Sequence, residues 1–252
     1  MAATARPVTI VTGASKGIGA AAAVHLGRAG HDVVVGYGED AAGAANVVRA
    51  VASSGGAAMS VRVDVTSDEE VAALFATAAE QIGPVTGLVN NAGLTGFVGD
   101  LADTPVDVIK RVIDVNFLGV VLCARRAALV MSREGGGTGG AIANVSSSAA
   151  TVGSPHEYVH YAGAKAAVEA LTVGLAKELA RDGIRVNAVA PGLIRTGIHA
   201  GAGDPDRLDR VVGRVPMGRV GEPDEVAPAI AWLLGPESAY VTGAVLRVAG
   251  GL

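Results

Sequence analysis

A single cysteine, Cys123, in 252 residues has nothing to pair with. A disulfide framework and a cysteine zinc cluster are therefore excluded, and no metal site is expected. Cys123 lies in an apolar stretch, where a free thiol behaves as a small hydrophobe, so a buried structural thiol is expected. Aromatic residues make up only 3% of the chain, so its core must be built from Ala, Val and Leu. Charge is also scarce, at 17% of residues against 50% hydrophobic, the opposite of a disordered composition. The net charge of −4 gives no electrostatic reason to expect nucleic acid or an anionic membrane as partner. No window approaches the ~18 continuous apolar residues of a membrane span. Met1–Pro7 has no apolar run long enough for a signal peptide. A soluble, cytoplasmic chain is the expectation.

What is present is a rhythm. Short β-branched runs alternate with longer Ala-rich segments of helical pattern. Strands are expected at Val8–Thr12, Asp32–Gly36, Ala57–Arg62, Gly87–Val89, Ala141–Val145, Arg185–Ala190 and Ala244–Val248. Helices are expected near Gly17–Ala29, Ala41–Ala52, Asp68–Gln81, Val106–Met131, Ala162–Ala180 and Pro223–Leu234. Strands without a polar face, alternating with helices, predict an α/β fold with a parallel, doubly wound sheet covered on both sides. Ser67 and the acids Asp68–Glu70 mark one helix start, and Pro105 and Pro223 suit first turns. Gly183 reads as a helix stop. The glycine-rich patch Gly135–Gly140 reads as a flexible surface loop. No linker divides the chain, so one domain over 1–252 is expected.

The first strand runs through Thr12-Gly13-Ala14-Ser15-Lys16-Gly17-Ile18-Gly19 into a helix. Glycines there let the backbone turn and a phosphate approach the amide groups, while the helix N-terminus offers free N–H donors. The bland alternative is a tight turn that needs glycine only for packing. Gly13-Ala14-Ser15-Lys16-Gly17 also matches the Gly-x-Ser-x-Gly elbow of α/β hydrolases. That fold needs an acid and then a histidine after the serine, with the histidine last. The histidines are His25, His31, His156, His160 and His199, and none follows the last strands. Further on, Tyr161 and Lys165 stand four apart, which on a helix is one face. An ammonium beside a phenol favours the phenolate and brings it into range for acid–base work. Ser146-Ser147-Ser148 close a strand upstream, where open α/β sheets place ligands.

Together these features resemble the short-chain dehydrogenase/reductase family over nearly the whole chain. The matches fall in family order: the Thr12–Gly19 loop, Asp64-Val65, Asn90-Asn91-Ala92-Gly93, Asn116, Ser147 with Tyr161 and Lys165, and Pro191-Gly192 followed by Thr196. The resemblance implies a Rossmann-like sheet of about seven strands and a role for each residue. Tyr161 is implied as general acid in reduction and base in oxidation, Lys165 as the group that holds the nicotinamide ribose, and Ser147 as the carbonyl-orienting donor. Ser148 is the runner-up to Ser147. Asn116 is implied as a helix-kink residue that anchors a proton-relay water. The implied cofactor contacts are Gly13, Ser15, Lys16, Gly17, Ile18, Gly19, Tyr37, Asp64, Val65, Asn91, Ala92, Gly93, Tyr161, Lys165, Pro191, Gly192, Ile194 and Thr196.

The cofactor expected is NADP(H), with NAD as the alternative. NAD-preferring relatives carry an acid where this chain has Tyr37, although Glu39 and Asp40 follow closely, and Lys16 is placed to pair with a 2′-phosphate; the arginine expected after the second strand is missing. The reaction implied is hydride transfer between a carbonyl and a secondary alcohol of a small molecule, under a mobile lid near 194–220. His156 and Glu157 read as a solvated loop, or as contacts for a polar substrate. The branches most resembled are 3-oxoacyl-carrier-protein reductases and glucose-dehydrogenase-type enzymes. Alternatives are an NAD-dependent sugar or hydroxy-compound dehydrogenase and a non-catalytic nucleotide-sensing protein. A homo-oligomer, tetramer or dimer, is also implied.

Overall fold

The computed structural model describes residues 6–198 and 203–252. The leader reading of Met1–Pro7 thus falls largely outside the described residues, as do His199 and the rest of 199–202 within the lid. Seven strands form one parallel sheet in the order β3-β2-β1-β4-β5-β6-β7. They are β1 Val8–Val11, β2 Asp32–Tyr37, β3 Ala58–Arg62, β4 Val85–Asn90, β5 Gly140–Val145, β6 Ile184–Pro191 and β7 Val245–Val248. The chain builds outward from β1 to β3, then restarts with β4 on the other side of β1. That reversal opens a crevice beyond the carboxyl ends of the strands, where doubly wound sheets bind ligands.

Both faces of the sheet are buried, and residue parity shows it. Val33 and Val35 of β2 join one core, packed with helices α1 (Gly17–Arg28), α2 (Ala41–Ala52) and α9 (Pro223–Leu234). Val34 of β2 and Ile10 of β1 join the other, packed with α3 (Asp68–Gln81), α5 (Gly119–Met131) and α7 (Val159–Glu178). A strand covered on both sides has no polar alternation to display, which is why these strands read as continuous apolar runs. Cys123 is fully buried in the second core, and burial pushes its thiol up to about 12. Ser67 caps α3, its hydroxyl accepting from the Glu70 amide. Among the described residues, no helix is long and apolar enough to cross a membrane.

Several expectations change. The helix expected over Val106–Met131 is two, α4 (Val106–Ile113) and α5, joined by a π-helical turn at Asp114–Leu118. Apolar periodicity runs through such a turn, so the sequence does not reveal it. Pro105 is the N-cap of α4 rather than a first-turn residue, whereas Pro223 does open α9. Gly183 (φ 75°) lies in the turn to β6, beyond the end of α7 at Glu178. The Gly135–Gly140 patch is a turn and loop before β5, exposed at Gly135 and Gly136 and packed closely at its far end. A Cβ at Gly137 would lie 2.5 Å from the Met131 carbonyl oxygen, and one at Gly139 2.5 Å from that of Gly183. At Gly137 and Gly139 glycine is there because the backbone packs tightly, whereas Gly136 stands in open space at φ 89°. The described part of the segment expected as a lid has local structure of its own. It carries a short helix, α8 (Arg207–Val211), and Val211 and Val215 pack on Leu193 and Val220. A four-residue helix, α6 (Ala149–Val152), not expected from sequence, follows the serine run.

Candidate active site

The crevice is lined first by the turn after β1. Thr12 follows that strand directly, and its hydroxyl donates to the Val89 carbonyl and accepts from the amides of Asn91 and Ala92. The Asn91 side chain donates to the carbonyls of Thr12 and Gly13, each at 3.0 Å. Asn91 and Ala92 thus pin the glycine turn to the end of β4. Gly13 (φ 63°) could not carry a side chain, because its Cβ would lie 2.8 Å from the Ala92 Cα. Gly17 (φ 58°) opens α1 and faces Thr196, whose Cγ2 a Cβ would meet at 3.3 Å. Gly19 packs its missing Cβ against Gly13 and Asn91, and Ile18 packs on the first core. Lys16 caps α1 and is exposed, as Ser15 beside it is in part.

The remaining expected contacts fall on the same carboxyl edge. Pro191 ends β6 and accepts from the Ser148 amide; Gly192 follows, pressed against Ala249, and Ile194 is buried. Val65 is buried against Gly119 of α5. Asp64 closes its own turn, accepting from the Thr66 amide and hydroxyl, and these bonds hold its carboxyl below the usual carboxylate range. Its other oxygen lies 3.8 Å from Arg111. Asp40, an acid close after β2, is committed to capping α2 through the Gly43 amide at 2.8 Å. Sheet register sets Arg62, at the end of β3, beside Tyr37 at the end of β2. Sequence reading missed this arginine, because only the strand order makes the two residues neighbours.

The residues expected to be catalytic meet where β4, β5 and α7 converge. Tyr161 and Lys165 are successive-turn neighbours on α7, both buried, with the Lys165 Nζ 5.7 Å from the Tyr161 ring centroid. Lys165 donates to the Val145 carbonyl at 2.8 Å. Its other two donors have no protein partner among the described residues. Burial pulls the ammonium down to about 8. A Cβ on Gly93 would stand 3.6 Å from that Nζ and 2.6 Å from the Asn116 Oδ1. Asn116 sits in the π-helical turn, and its side chain donates to the Leu94 and Val112 carbonyls at 2.7 and 2.8 Å and accepts from the Leu94 amide. It thereby ties the α4–α5 break to the segment after β4.

Ser147, two residues beyond β5, faces the Tyr161 phenol, and its hydroxyl accepts from the Ala149 amide. Ser148 is turned inward at the start of α6 and Ser146 bonds Glu169, so Ser147 is the serine of the run that meets the tyrosine. One expectation is reversed. The ammonium was to lower the Tyr161 pKa, but burial pushes the phenol up to about 12, and the Ser147 hydroxyl and the Arg207 guanidinium only partly offset that. Desolvation penalises phenolate and ammonium alike, and both lie out of water here. Ser15 has no histidine partner. Of the described histidines, His25 pairs with Asp224, His31 with Thr9, His156 with Asp100 and His160 with the Thr95 carbonyl. The hydrolase elbow therefore lacks its base among the described residues.

Comparison with known proteins follows this geometry. Residues 13–252 match a family model described as enoyl-(acyl carrier protein) reductase. The chain is 43% identical over 244 residues to the uncharacterized oxidoreductase YgfF of Escherichia coli (strain K12), covering 97% of this chain and 99% of that protein. It is 44% identical over 246 residues to 3beta-hydroxysteroid dehydrogenase 1 of Eggerthella lenta, covering 96% and 92%. Other relatives are named glucose 1-dehydrogenase 2 (Bacillus subtilis, 38% identical) and 3-oxoacyl-[acyl-carrier-protein] reductase (Synechocystis sp., 37% identical), the two branches resembled in sequence. Among solved structures, a putative short-chain alcohol dehydrogenase from Sinorhizobium meliloti 1021 superposes with a TM-score of 0.89 at 33% identity, covering 98% of this chain and 96% of that one. Fold, site geometry and relatives agree: the chain belongs to the short-chain dehydrogenase/reductase family of oxidoreductases.

Proposed function

We propose that this chain is an NADP(H)-dependent oxidoreductase that interconverts a carbonyl and a secondary alcohol, with Tyr161 as general acid and base. The observation that carries the reading is the meeting of Ser147, Tyr161 and Lys165 beside Gly93 at the carboxyl edge of the sheet. Two features support a dinucleotide there. The gap between Gly17 and Thr196 is one that a side chain at Gly17 would narrow. A buried ammonium with two unplaced donors also suits ribose hydroxyls. The cofactor supplies or accepts the hydride at the reacting carbon. In reduction, Tyr161 donates its phenolic proton to the carbonyl oxygen, which becomes the alcohol hydroxyl. In oxidation it takes that proton back. Ser147 orients the oxygen by hydrogen bond, and Lys165 fixes the ribose and stabilises the phenolate. Asn116 holds the Leu94 segment that walls the site, beside the path by which water returns the proton.

Preference for NADP(H) is supported at the ends of β1, β2 and β3. No acid stands at Tyr37, Asp40 is spent on a helix cap, and the exposed cations Lys16 and Arg62 outnumber the one exposed acid, Glu39. A 2′-phosphate would meet positive charge there. The reading extends to a homo-oligomer, tetramer or dimer, in the cytoplasm. Apolar Ile113, Leu118, Leu129 and Val173 stand exposed along the α4–α5 run and on α7, where a second copy would cover them.

The test is to follow nicotinamide absorbance with NADPH or NADH and a panel of ketones, aldehydes and secondary alcohols. Turnover is expected, with NADPH favoured. Lys16→Ala and Arg62→Ala should each raise the KM for NADPH about tenfold, the loss of one charge-assisted contact, and leave that for NADH nearly unchanged. Cofactor binding with no turnover of any substrate would instead make the chain a nucleotide sensor.

A further inference from the structure

A buried ion pair beside two stacked tyrosines belongs to none of these roles. Arg207 opens α8, and its Nη2 donates to Glu157 Oε2 at 2.7 Å. Both side chains are out of water, at 8% and 12% exposed. Breaking such a pair leaves an uncompensated buried charge, so α8 and the segment before α7 are held to each other. Arg214 reaches the same carboxylate at 3.7 Å, but it is exposed and adds little. The Arg207 Cζ lies 5.0 Å from the centroid of the Tyr158 ring. That ring meets Tyr161 edge to face, with centroids 5.4 Å apart. A continuous stack therefore runs from α8 through Tyr158 to Tyr161. The segment that presents Tyr158 is also strained. Ser154 and His156 sit at φ 46° and 62°, a region that side chains rarely adopt. Such a conformation persists only where surrounding contacts over-determine it. Here the Gly99 amide donates to the Glu157 carbonyl at 2.8 Å, His156 pairs with Asp100, and Ser154 faces the Tyr158 phenol. The fourth contact, Glu157 with Arg207, is the one that comes from α8.

We propose that Arg207 is a positioning residue for Tyr161, acting through Tyr158, so that the phenol takes its working place only while α8 is docked on Glu157. The inference rests on the oxidoreductase reading above and adds how that site is completed. Tyr161 has Ser147 before its hydroxyl and Tyr158 against its ring. With α8 away, Glu157 loses its buried partner, the strained segment relaxes, and the Tyr158 ring no longer fixes its neighbour. A displacement of about 1 Å at reacting atoms can cost about a hundredfold in rate. The Arg207 charge also reaches the phenol and offsets part of the cost of burying a phenolate. Docking of α8 would thus assemble the catalytic geometry at the moment it covers the crevice.

The test measures ketone reduction with NADPH and with NADPH deuterated at the transferred position, together with backbone hydrogen exchange over residues 153–158. Arg207→Met and Tyr158→Leu should each lower kcat at least about tenfold at an unchanged Kd for NADPH. Their isotope effect on kcat should be no smaller than that of wild type, because the chemical step is the one slowed. Arg207→Lys and Tyr158→Phe, which keep the cation and the ring, should each recover part of kcat. Exchange over 153–158 should rise in Arg207→Met and in Glu157→Gln alike. If Arg207 merely latches α8, its variants would raise the KM for ketone at an unchanged kcat, and the proposal falls. A lower kcat with a smaller isotope effect would also overturn it, since movement of α8 and not chemistry would then be slowed. So would wild-type exchange over 153–158 in Arg207→Met. Wild type that turns over no substrate would instead sink the oxidoreductase reading, and exchange over 153–158 would still decide whether Arg207 holds that segment.

Discussion

On the proposed function, an ammonium and a phenol held out of water set the working pH of this site. Burial pushes Tyr161 up to about 12 and pulls Lys165 down to about 8. At neutral pH the phenol is protonated and ready to donate, so reduction needs no prior ionisation. Oxidation needs a phenolate, and its population rises with pH up to the tyrosine's own value. The expected profile follows from these signs. The kcat/KM for reduction should stay flat below about pH 8 and fall above it, as Lys165 loses its charge. The kcat/KM for oxidation should rise from pH 7 toward pH 9. Initial rates in both directions over pH 6–10 check this, and an oxidation rate flat across that range would remove Tyr161 from the base role. The spacing of Tyr161 and Lys165 was legible in the sequence because residues four apart on a helix share a face. Their protonation was not, because desolvation depends on burial that no local pattern records.

At the scale of elements, the break between α4 and α5 shows what a pattern hides. Asn116 fills three backbone bonds there, to the Leu94 carbonyl and amide and to the Val112 carbonyl. Replacing it would strand buried polar groups, at about 1–3 kcal/mol for each. Asn116→Ala is therefore expected to cost about 2–4 kcal/mol in urea denaturation and to lower turnover, because the Leu94 segment lines the site. A loss below about 0.5 kcal/mol would mean that water replaces the side chain at no cost. Helices α2, α3 and α9 have the bounds expected from sequence, since caps and charge mark their ends. The glycine patch before β5 was only half legible, because glycine serves both loose chain and close backbone packing. Only the neighbouring carbonyls of Met131 and Gly183 distinguish them.

For the whole molecule, strand order turns distant residues into neighbours. Apolar strands alternating with helices predicted a doubly wound sheet, and seven parallel strands form it. The glycine turn, the serine run and the tyrosine–lysine pair were legible because each is a short stretch with its own chemistry. Arg62 beside Tyr37, and Arg207 on Glu157 fifty positions away, were not, because each pair exists only once the sheet and lid are assembled. The central claim joins such pieces: one phenol, on one helix, moves the proton at the crevice that the sheet reversal opens. The most direct measurement is steady-state turnover of a ketone by Tyr161→Phe with NADPH, alongside its NADPH affinity. The account predicts an unchanged Kd for NADPH and a kcat lower by at least about a hundredfold, the loss of general acid catalysis. Turnover within a few-fold of wild type would contradict it.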